Sequence, residues 1–395
     1  MAYDFDQVIN RYNSNSLKWD AVGERFGDPD LLPMWVADMD FRAPESVIQA
    51  LKKVADHGIF GYTIRPDSFY QALMDWMKRR HNWSIEKEWM IFSPGVVPAL
   101  SMIVEAFTEP EDAVLIQSPV YYPFFHVIRE NGRRLVDNSL VFDGNQYRMD
   151  FDDLEKKLSE DAVKLMIISS PHNPVGRVWT KDELKKLGEL CIKHHVLVVS
   201  DEVHCDLILR GNVHTPFASI SEAFAENSIT CVAPSKTFNL AGLQSSIVII
   251  PNHEHRSTFK RSLRIQDNAM TNSFALAAFE AAYNEGEEWL EQLLDYLENN
   301  LRVLNTFFEE NLPQINVIQP EGTYLVWIDF RTLGLDAKAL ETLMQKKAKI
   351  ALDEGYIFGK AGEGFERINI ACPRKTLEDG LQRIKKAVND HLSQE

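Results

Sequence analysis

The stretch KLMIISSPHNPVG (164–176) decides the fold, together with VLVVSDEVH (196–204) and SITCVAPSK (228–236) further along the chain. Each begins with a short apolar run rich in β-branched residues and ends in polar residues. A helical pattern, from about Lys181 to His195, separates the first two runs. Strands that are apolar on both faces and alternate with helices indicate a parallel sheet covered by helices on both sides. The sequence therefore predicts an α/β fold.

The remainder of the chain predicts a second, smaller unit. AVLIQSP (113–119) and SSIVIIP (245–251) add strands to the large sheet. A long helical stretch from Thr271 to about Leu312, interrupted at Gly286, then leads to a strand, a helix, a strand and a last helix, which is typical of an α+β domain. We predict an arm that belongs to the small domain, a large domain and a small C-terminal domain, at 1–44, 45–290 and 291–395.

Composition and charge exclude several classes of protein. The 395 residues are 45% hydrophobic, which is enough for large cores. The net charge of −16 repels nucleic acids and anionic membranes, so binding to either is not predicted. The four cysteines are far apart, so neither a disulfide framework nor a cysteine zinc site is indicated. Apolar runs are one strand long, well short of the about 20 residues of a membrane helix. The polar, acidic N-terminus favours a cytoplasmic location.

Polar residues of three kinds follow the predicted strands. Asn173 follows the first run, Asp201 the second, and Ser235 and Lys236 the third. Alone, such residues are usually turn formers, helix caps or solvated side chains. Ligands of parallel sheets, however, bind at the carboxyl ends of the strands. An amine, a carboxylate and an amide around one cleft are what a pyridoxal phosphate site requires, for the Schiff base, the pyridinium nitrogen and the phenolate oxygen.

Longer motifs carry a resemblance to a known family. SPHNPVG (170–176), SDEVHCDL (200–207) and APSKTFNLAGLQ (233–244) resemble the signatures of the pyridoxal phosphate-dependent class I/II aminotransferase superfamily, fold type I. The resemblance to its cystathionine β-lyase-like C–S lyase branch, the MalY/PatB type, is carried by KWD (18–20), LPMWVADMDF (32–41), HGIFGYT (57–63) and FSPGVVPAL (92–100). It implies a large domain with a mixed, mostly parallel seven-stranded sheet, and a smaller α+β domain.

The resemblance implies the roles of the residues around the cofactor ring. Lys236 forms the Schiff base, and its free amine later removes the proton from the substrate Cα. Asp201 keeps the ring nitrogen protonated, so that the ring can accept electrons. Tyr121 stacks on the ring, with a core aromatic as the alternative. That its phenol also transfers a proton to or from the substrate amine or the leaving sulfur is a further hypothesis.

The resemblance also implies how the phosphate is held. The backbone N–H groups of Val96 and Val97, at the start of a helix whose dipole favours an anion, are expected to bind it. Ser235 adds a hydroxyl group. Tyr62 matches the tyrosine that reaches the phosphate from the neighbouring subunit in related enzymes, which implies a homodimer with a shared active site.

On the substrate side, Arg367 matches the arginine that binds the α-carboxylate as a bidentate fork, with a structural salt bridge as the alternative. Ala37 contributes its backbone to the same place, and Asn173 is expected to face the substrate as well. Two positions depart from the aminotransferase pattern. Gln244 replaces an arginine to the phosphate, and His204 replaces a tyrosine to the phenolate oxygen; both fit the lyase branch.

The resemblance implies β-elimination from a sulfur-containing amino acid. L-Cystathionine would give homocysteine, and L-cysteine would give hydrogen sulfide, each with pyruvate and ammonia. An aminotransferase shares every residue above and stays open as an alternative, as does a regulatory binding protein on the same fold. A zinc site is not predicted, because the pairs His194–His195 and His253–His255 lack a third ligand at a convincing spacing.

Overall fold

The computed structural model describes residues 3–266 and 270–393. Its largest sheet has seven strands, which confirms the predicted α/β class. In order across the sheet, they are Met90–Ser93, Ser246–Ile249, Ser228–Val232, Leu197–Asp201, Val163–Ser169, Ala113–Ile116 and Arg134–Asp137. The apolar runs picked out from the sequence do not include the two outermost strands. Arg134–Asp137 is only partly buried and has charged residues at both ends, so it lacks the apolar signature of the central strands.

The sheet is mixed and mostly parallel, as the resemblance implies. The central strands are parallel, and their register aligns Ser169 with Asp201 and Asp201 with Cys231. Ser246–Ile249 runs antiparallel to both of its neighbours, which makes the outer strand Met90–Ser93 parallel to the centre again. The carboxyl ends of these parallel strands therefore meet at one edge.

Helices cover the large sheet. The predicted helix after Val163–Ser169 begins with a capping box, in which the Thr180 hydroxyl accepts from the Glu183 N–H while the Glu183 carboxylate accepts from the Thr180 N–H. The predicted interruption of the long helical stretch occurs at Gly286. In chain order, the helices of this region are Glu45–His57, Asp67–His81, Val96–Phe107, Pro123–Arg129, Phe151–Leu158, Lys181–Lys193, Glu222–Glu226, Pro234–Thr237, His253–Ile265, Ser273–Glu285 and Glu287–Asn311.

A second sheet lies in the C-terminal part of the chain. Its four antiparallel strands, in spatial order, are Asn316–Ile318, Leu325–Asp329, Phe365–Asn369 and Asp353–Glu354. The helices beside it are Ala337–Thr342, which continues as a π-helical segment over Leu343–Ala348, and Arg374–Leu392. A short hairpin pairs Val141–Phe142 with Tyr147–Arg148. The predicted domain boundaries stay a prediction.

The N-terminal arm packs against this second sheet. It contains the short helices Leu17–Asp20 and Val22–Phe26, and its strand Leu32–Pro33 pairs in parallel with Ile350–Ala351. The Asn369 N–H then donates to the Met34 carbonyl at 3.0 Å. Among the described residues, no helix combines the length and the apolar character that crossing a membrane requires.

Candidate active site

Lys236 lies at the carboxyl edge of the large sheet, on the one-turn helix Pro234–Thr237. Pro234 begins the helix, where a missing N–H costs nothing. The Lys236 Nζ donates to the Ala37 carbonyl at 2.7 Å, so the amine points at the N-terminal arm. Burial, together with the positive charge of Arg367, lowers the pKa of Lys236 to about 8. A substantial fraction of the amine is therefore neutral, and able to act as nucleophile or base, just above neutral pH.

Asp201 is buried at the end of the neighbouring strand. One carboxylate oxygen accepts from the Val203 N–H at 3.2 Å, and among the described residues the other oxygen has no hydrogen-bond donor. Burial raises the pKa of Asp201 to about 7, while the positive charge of Lys236 opposes that rise. A protonated ring nitrogen at the free oxygen would hold the carboxylate in its charged form.

Asn173 and Arg367 face each other across the two sheets. An Nη of Arg367 donates to the Asn173 Oδ1 at 2.9 Å, which leaves the amide nitrogen of Asn173 available as a donor. The other Nη donates to the Trp35 carbonyl at 3.1 Å and pairs with the buried carboxylate of Asp353. The Arg367 Nε is buried without a hydrogen-bond partner among the described residues, so one N–H is available to a substrate carboxylate.

Two asparagines hold the arm segment that presents the Ala37 carbonyl. The Asn369 amide donates to the carbonyls of Val36 and Asp38, both at 2.7 Å. The Asn239 side chain donates to the carbonyls of Met39 and Phe41 and accepts from the Met39 N–H. These bonds fix the segment on both sides of Ala37.

Tyr324 is a site residue that the sequence analysis missed. Its hydroxyl donates to the Ala37 carbonyl at 2.9 Å, beside the Lys236 amine, and its ring centroid is 6.0 Å from that of His204. Burial raises the pKa of the Tyr324 phenol, so it stays a neutral donor. In the sequence Tyr324 belongs to an apolar strand pattern, and no local signal distinguishes it from a core aromatic residue.

His204 and Tyr121 complete the surroundings of Lys236. His204 is buried, and burial lowers its pKa well below the ordinary value, so the ring is neutral. Its Nδ1 has no hydrogen-bond partner among the described residues. Burial raises the pKa of the Tyr121 phenol, and Asp201 and Arg367 lie within electrostatic reach of it. Both residues therefore lie at the predicted site, and their roles stay predictions.

The predicted phosphate site lies at the same edge of the sheet. Val96 begins the helix Val96–Phe107, directly after the strand that ends at Ser93, and the first turn of a helix leaves its N–H groups free for an anion. Ser235 precedes Lys236 and is partly exposed, whereas Gln244 is exposed. Val97 follows in the first turn. The structure thus brings the cofactor residues of the predicted set, apart from Tyr62, to one edge of the sheet.

Tyr62 lies apart from this group. Its side chain is 98% exposed, and Ile59 and Ile64 on the same loop are 71% and 82% exposed. The loop is tied to the chain through Arg65, whose guanidinium donates to the Thr271 hydroxyl at 2.7 Å. Within one chain Tyr62 therefore does not reach the cofactor site, so its predicted role requires a second subunit.

A buried hydrogen-bond network contacts Thr237, the residue that follows Lys236. The Asp206 carboxylate accepts from the Thr237 hydroxyl at 2.8 Å, from the Trp76 indole N–H at 2.9 Å and pairs with His81 at 2.7 Å. Burial alone raises the pKa of Asp206, but the hydrogen bonds from His81, Thr237 and Trp76 hold it below its usual value. Cys205 completes a potential three-ligand metal group, although hydrogen bonds already occupy both Asp206 oxygens.

We call Val96, Asn173, Asp201 and Lys236 the sheet side of the site, and Ala37, Tyr324, Asp353 and Arg367 the arm side. These groups fit pyridoxal phosphate. An amine, a buried carboxylate with a free oxygen, an amide donor and a helix N-terminus lie close together. Asp353 is a second residue that the sequence analysis missed. Its only local context is a DEG sequence that reads as a turn.

Comparison with known proteins defines the class first. The family model for aminotransferase class I and II matches residues 29–384, so the chain belongs to this family. Cystathionine β-lyase PatB of Bacillus subtilis is 50% identical over 386 residues, covering 98% of this chain and 100% of that protein. These matches confirm the predicted superfamily and the predicted branch.

Solved structures support the same conclusion. Cystalysin from Treponema denticola, whose crystal structure contains pyridoxal 5'-phosphate, matches with a TM-score of 0.96 and 43% identity, covering 99% of this chain and 100% of that one. The pyridoxal phosphate-bound C–S lyase of Staphylococcus hominis matches with a TM-score of 0.92 and 35% identity, covering 98% and 99%. The predicted cofactor, pyridoxal phosphate, and the predicted fold type are thereby confirmed.

Proposed function

We propose that this chain is a C–S lyase that cleaves L-cystathionine or L-cysteine by α,β-elimination. The products are a thiol, namely homocysteine or hydrogen sulfide, together with pyruvate and ammonia. The observation that carries the proposal is the convergence of Lys236, Asp201, Asn173 and Arg367 at one edge, in a chain 50% identical to a cystathionine β-lyase. When bound, pyridoxal phosphate supplies an electron sink for the substrate carbanion.

Lys236 is the proposed base for the proton on the substrate Cα. Its pKa of about 8 without cofactor is close to the operating pH, which is the condition for efficient proton transfer. The Ala37 carbonyl, 2.7 Å from the amine, and the Tyr324 hydroxyl beside it restrict where that amine can lie. Tyr121 is proposed to cover the cofactor ring.

Arg367 and Asn173 are proposed to orient the substrate. The free Nε–H of Arg367 is proposed to donate to the α-carboxylate, and the bonds to Asn173 and the Trp35 carbonyl fix the plane of the guanidinium. Asp201 and His204 are proposed to contact the ring, at its nitrogen and its phenolate oxygen. Val96, Val97 and Ser235 are proposed to hold the phosphate.

We also propose a cytoplasmic homodimer in which Tyr62 of each subunit completes the phosphate site of the other. The exposed apolar loop carrying Tyr62 supports this arrangement, since exposed apolar patches mark interaction sites. It lies beside a cleft of about 1010 Å³ lined by His57, Tyr62 and Leu276 among others.

The test is a coupled pyruvate assay on the purified, cofactor-loaded protein with L-cystathionine and then L-cysteine, without any oxo acid. We expect steady pyruvate release. Lys236→Ala should lower turnover by roughly 10² to 10⁴-fold, because it removes the base. Lys260→Ala, on the surface helix His253–Ile265, is the matched control and should keep full turnover. Consumption that stops after one turnover would instead identify an aminotransferase, and an active Lys236→Ala variant would refute the mechanism.

A further inference from the structure

Arg25 is a cation without an ionic partner near the arm side of the site. It is exposed on the short helix Val22–Phe26, and no hydrogen bond or ion pair of its guanidinium exists among the described residues. The guanidinium instead lies over the Trp35 ring, 4.8 Å from the centroid, and 5.8 Å from the Phe26 centroid. The Phe26 and Trp35 rings pack edge to face at 5.2 Å, which gives the cation a firm aromatic support.

Trp35 connects Arg25 directly to the predicted carboxylate site. Its backbone carbonyl accepts from Arg367 at 3.1 Å, while its ring carries Arg25. The Trp35 indole N–H donates to the Lys18 carbonyl at 3.0 Å, so the ring that supports Arg25 is held in place. The positive charge of Arg25 also acts to lower the pKa of Tyr122 and of Asp353, which puts it within electrostatic reach of both.

Aromatic rings lie beside both guanidinium groups. The Arg367 guanidinium lies over the Phe358 ring at 4.9 Å, and the Phe358 and Tyr122 centroids are 5.9 Å apart. Two cations bordered by aromatic rings match a substrate that has an anionic group at each end and a thioether chain between them.

The two arginines differ in whether a carboxylate pairs with them. Asp353 forms an ion pair with Arg367, whereas no described residue forms an ion pair with Arg25. The chain as a whole carries −16, so its general field repels an anionic substrate, and an unpaired cation at the site counters that repulsion locally.

We propose that Arg25 binds an anionic group on the leaving thiol, and that it thereby selects S-substituted cysteines whose leaving group carries a carboxylate. L-Cystathionine has this chemistry, whereas an S-alkyl cysteine lacks it. Arg25 takes no part in breaking the carbon–sulfur bond. The inference rests on the proposed C–S lyase function.

The experiment compares L-cystathionine with S-ethyl-L-cysteine, whose leaving group is uncharged. Arg25→Met keeps an apolar stem over Trp35 and should lower kcat/KM for L-cystathionine about tenfold, mainly through KM, because one charge-assisted hydrogen bond is lost. The same variant should change kcat/KM for S-ethyl-L-cysteine less than about twofold. Arg25→Lys should recover part of the loss. Arg42→Met, which removes an exposed arginine elsewhere on the arm, is the matched control and should leave both substrates unaffected.

A binding measurement separates this inference from the proposed function. Calorimetric titration of the Lys236→Ala holoprotein, with and without Arg25→Met, should show about tenfold weaker binding of L-cystathionine and unchanged binding of S-ethyl-L-cysteine. Equal losses for the two ligands, or none for L-cystathionine, would overturn the role of Arg25. If the wild-type protein released no pyruvate from either substrate, the lyase function would fail, while the titration would still decide about Arg25.

Discussion

The sheet side of the site is built from neighbouring strands, whereas the arm side is built from segments far apart in the sequence. On the sheet side, backbone pairing aligns Ser169, Asp201 and Cys231. On the arm side, Arg367 bonds the carbonyl of Trp35, 332 positions earlier in the chain. Backbone register therefore places the cofactor residues, and individual side-chain bonds place the substrate residues.

The arm also depends on charges that are buried. The Lys18 ammonium pairs with Asp40 at 2.8 Å, and both side chains are almost completely buried. Arg11 pairs with the same carboxylate at 2.7 Å and with Asp38 at 2.8 Å. The Trp19 indole N–H adds a third contact to the Asp40 carboxylate at 2.8 Å. Asp40 is thus a single carboxylate on which several arm segments converge.

Because of this difference, we expect substitutions on the two sides of the site to have different effects. Removing one side chain from a sheet edge leaves the register intact, because main-chain bonds carry it. Removing one partner from a buried ion pair leaves an uncompensated charge, which is strongly unfavourable. Substrate binding should therefore be lost before cofactor binding when the arm is damaged.

The largest expected effect comes from Asp40→Asn. It keeps the side-chain volume but removes the nearer counter-charge of the buried Lys18 and leaves only the longer 3.7 Å pair with Asp38, so we expect the free energy of unfolding to fall by about 3 kcal/mol. Urea unfolding of the cofactor-loaded protein measures this loss. Under native conditions KM should rise, while the visible absorbance of the bound cofactor should persist.

Asp28→Asn is the control for this variant, because the Asp28–Lys349 pair joins the arm to the C-terminal part of the chain with a half-exposed lysine. Such pairs contribute about 0 to 1 kcal/mol. If Asp40→Asn released the cofactor as readily as it raised KM, the proposed separation between the two sides would be wrong.

An intermediate effect is expected from Asp201→Asn in the cofactor-free protein. Burial raises the pKa of Asp201 from 3.8 to about 7, so the folded chain binds a proton there that the unfolded chain has lost over this interval. Stability from this residue is then highest at low pH and falls as pH rises toward about 7, by up to about 1.4 kcal/mol per pH unit. The asparagine variant lacks this dependence.

Melting temperatures of the two cofactor-free proteins, at about pH 5 and about pH 7.5, measure the difference. We expect the asparagine variant to gain relative to the wild-type protein at the higher pH. Added pyridoxal phosphate should reverse the order, because the charged carboxylate then has a cationic partner. A gap that stayed constant with pH would show that Asp201 does not titrate in this range.

Asn173, Asp201 and Lys236 on the sheet side could be predicted from the sequence because their information is local, whereas Val96 came from the resemblance to a family. Apolar runs predict strands, and the polar residues that follow each run lie at the sheet edge, which predicts Asn173, Asp201 and Lys236 as site residues. The strand Arg134–Asp137 was not predicted, because this edge strand is only partly buried and has charged residues at both ends.

The arm side could not be derived in this way. Arg367 and Ala37 came from the resemblance to a family, and no spacing rule connects them. Tyr324 and Asp353 were missed because a buried tyrosine in a strand, or an aspartate before a glycine, has an ordinary structural explanation. Their roles depend on long-range packing, which brings Tyr324 to within hydrogen-bond distance of Ala37 across 287 positions.

The smallest expected effect is on the network behind Lys236. Thr237→Val keeps the shape of the side chain but removes the donor to Asp206, 2.8 Å away. Trp76 and His81 still satisfy the other carboxylate oxygen, so we expect a loss of about 1 kcal/mol in stability. Turnover should fall a few-fold, because Lys236 is the next residue and its short helix becomes less firmly held.

A merely structural role for Thr237 would lower stability alone, so the informative measurement is the pH dependence of the visible absorbance of the bound cofactor. A shift of that titration in Thr237→Val would show that the network positions Lys236. Thr342→Val, which removes an exposed threonine bond to the Lys338 carbonyl, should leave the titration unchanged. An unshifted titration in Thr237→Val would mean that the main-chain register alone positions Lys236. Side-chain bonds would then position residues on the arm side only.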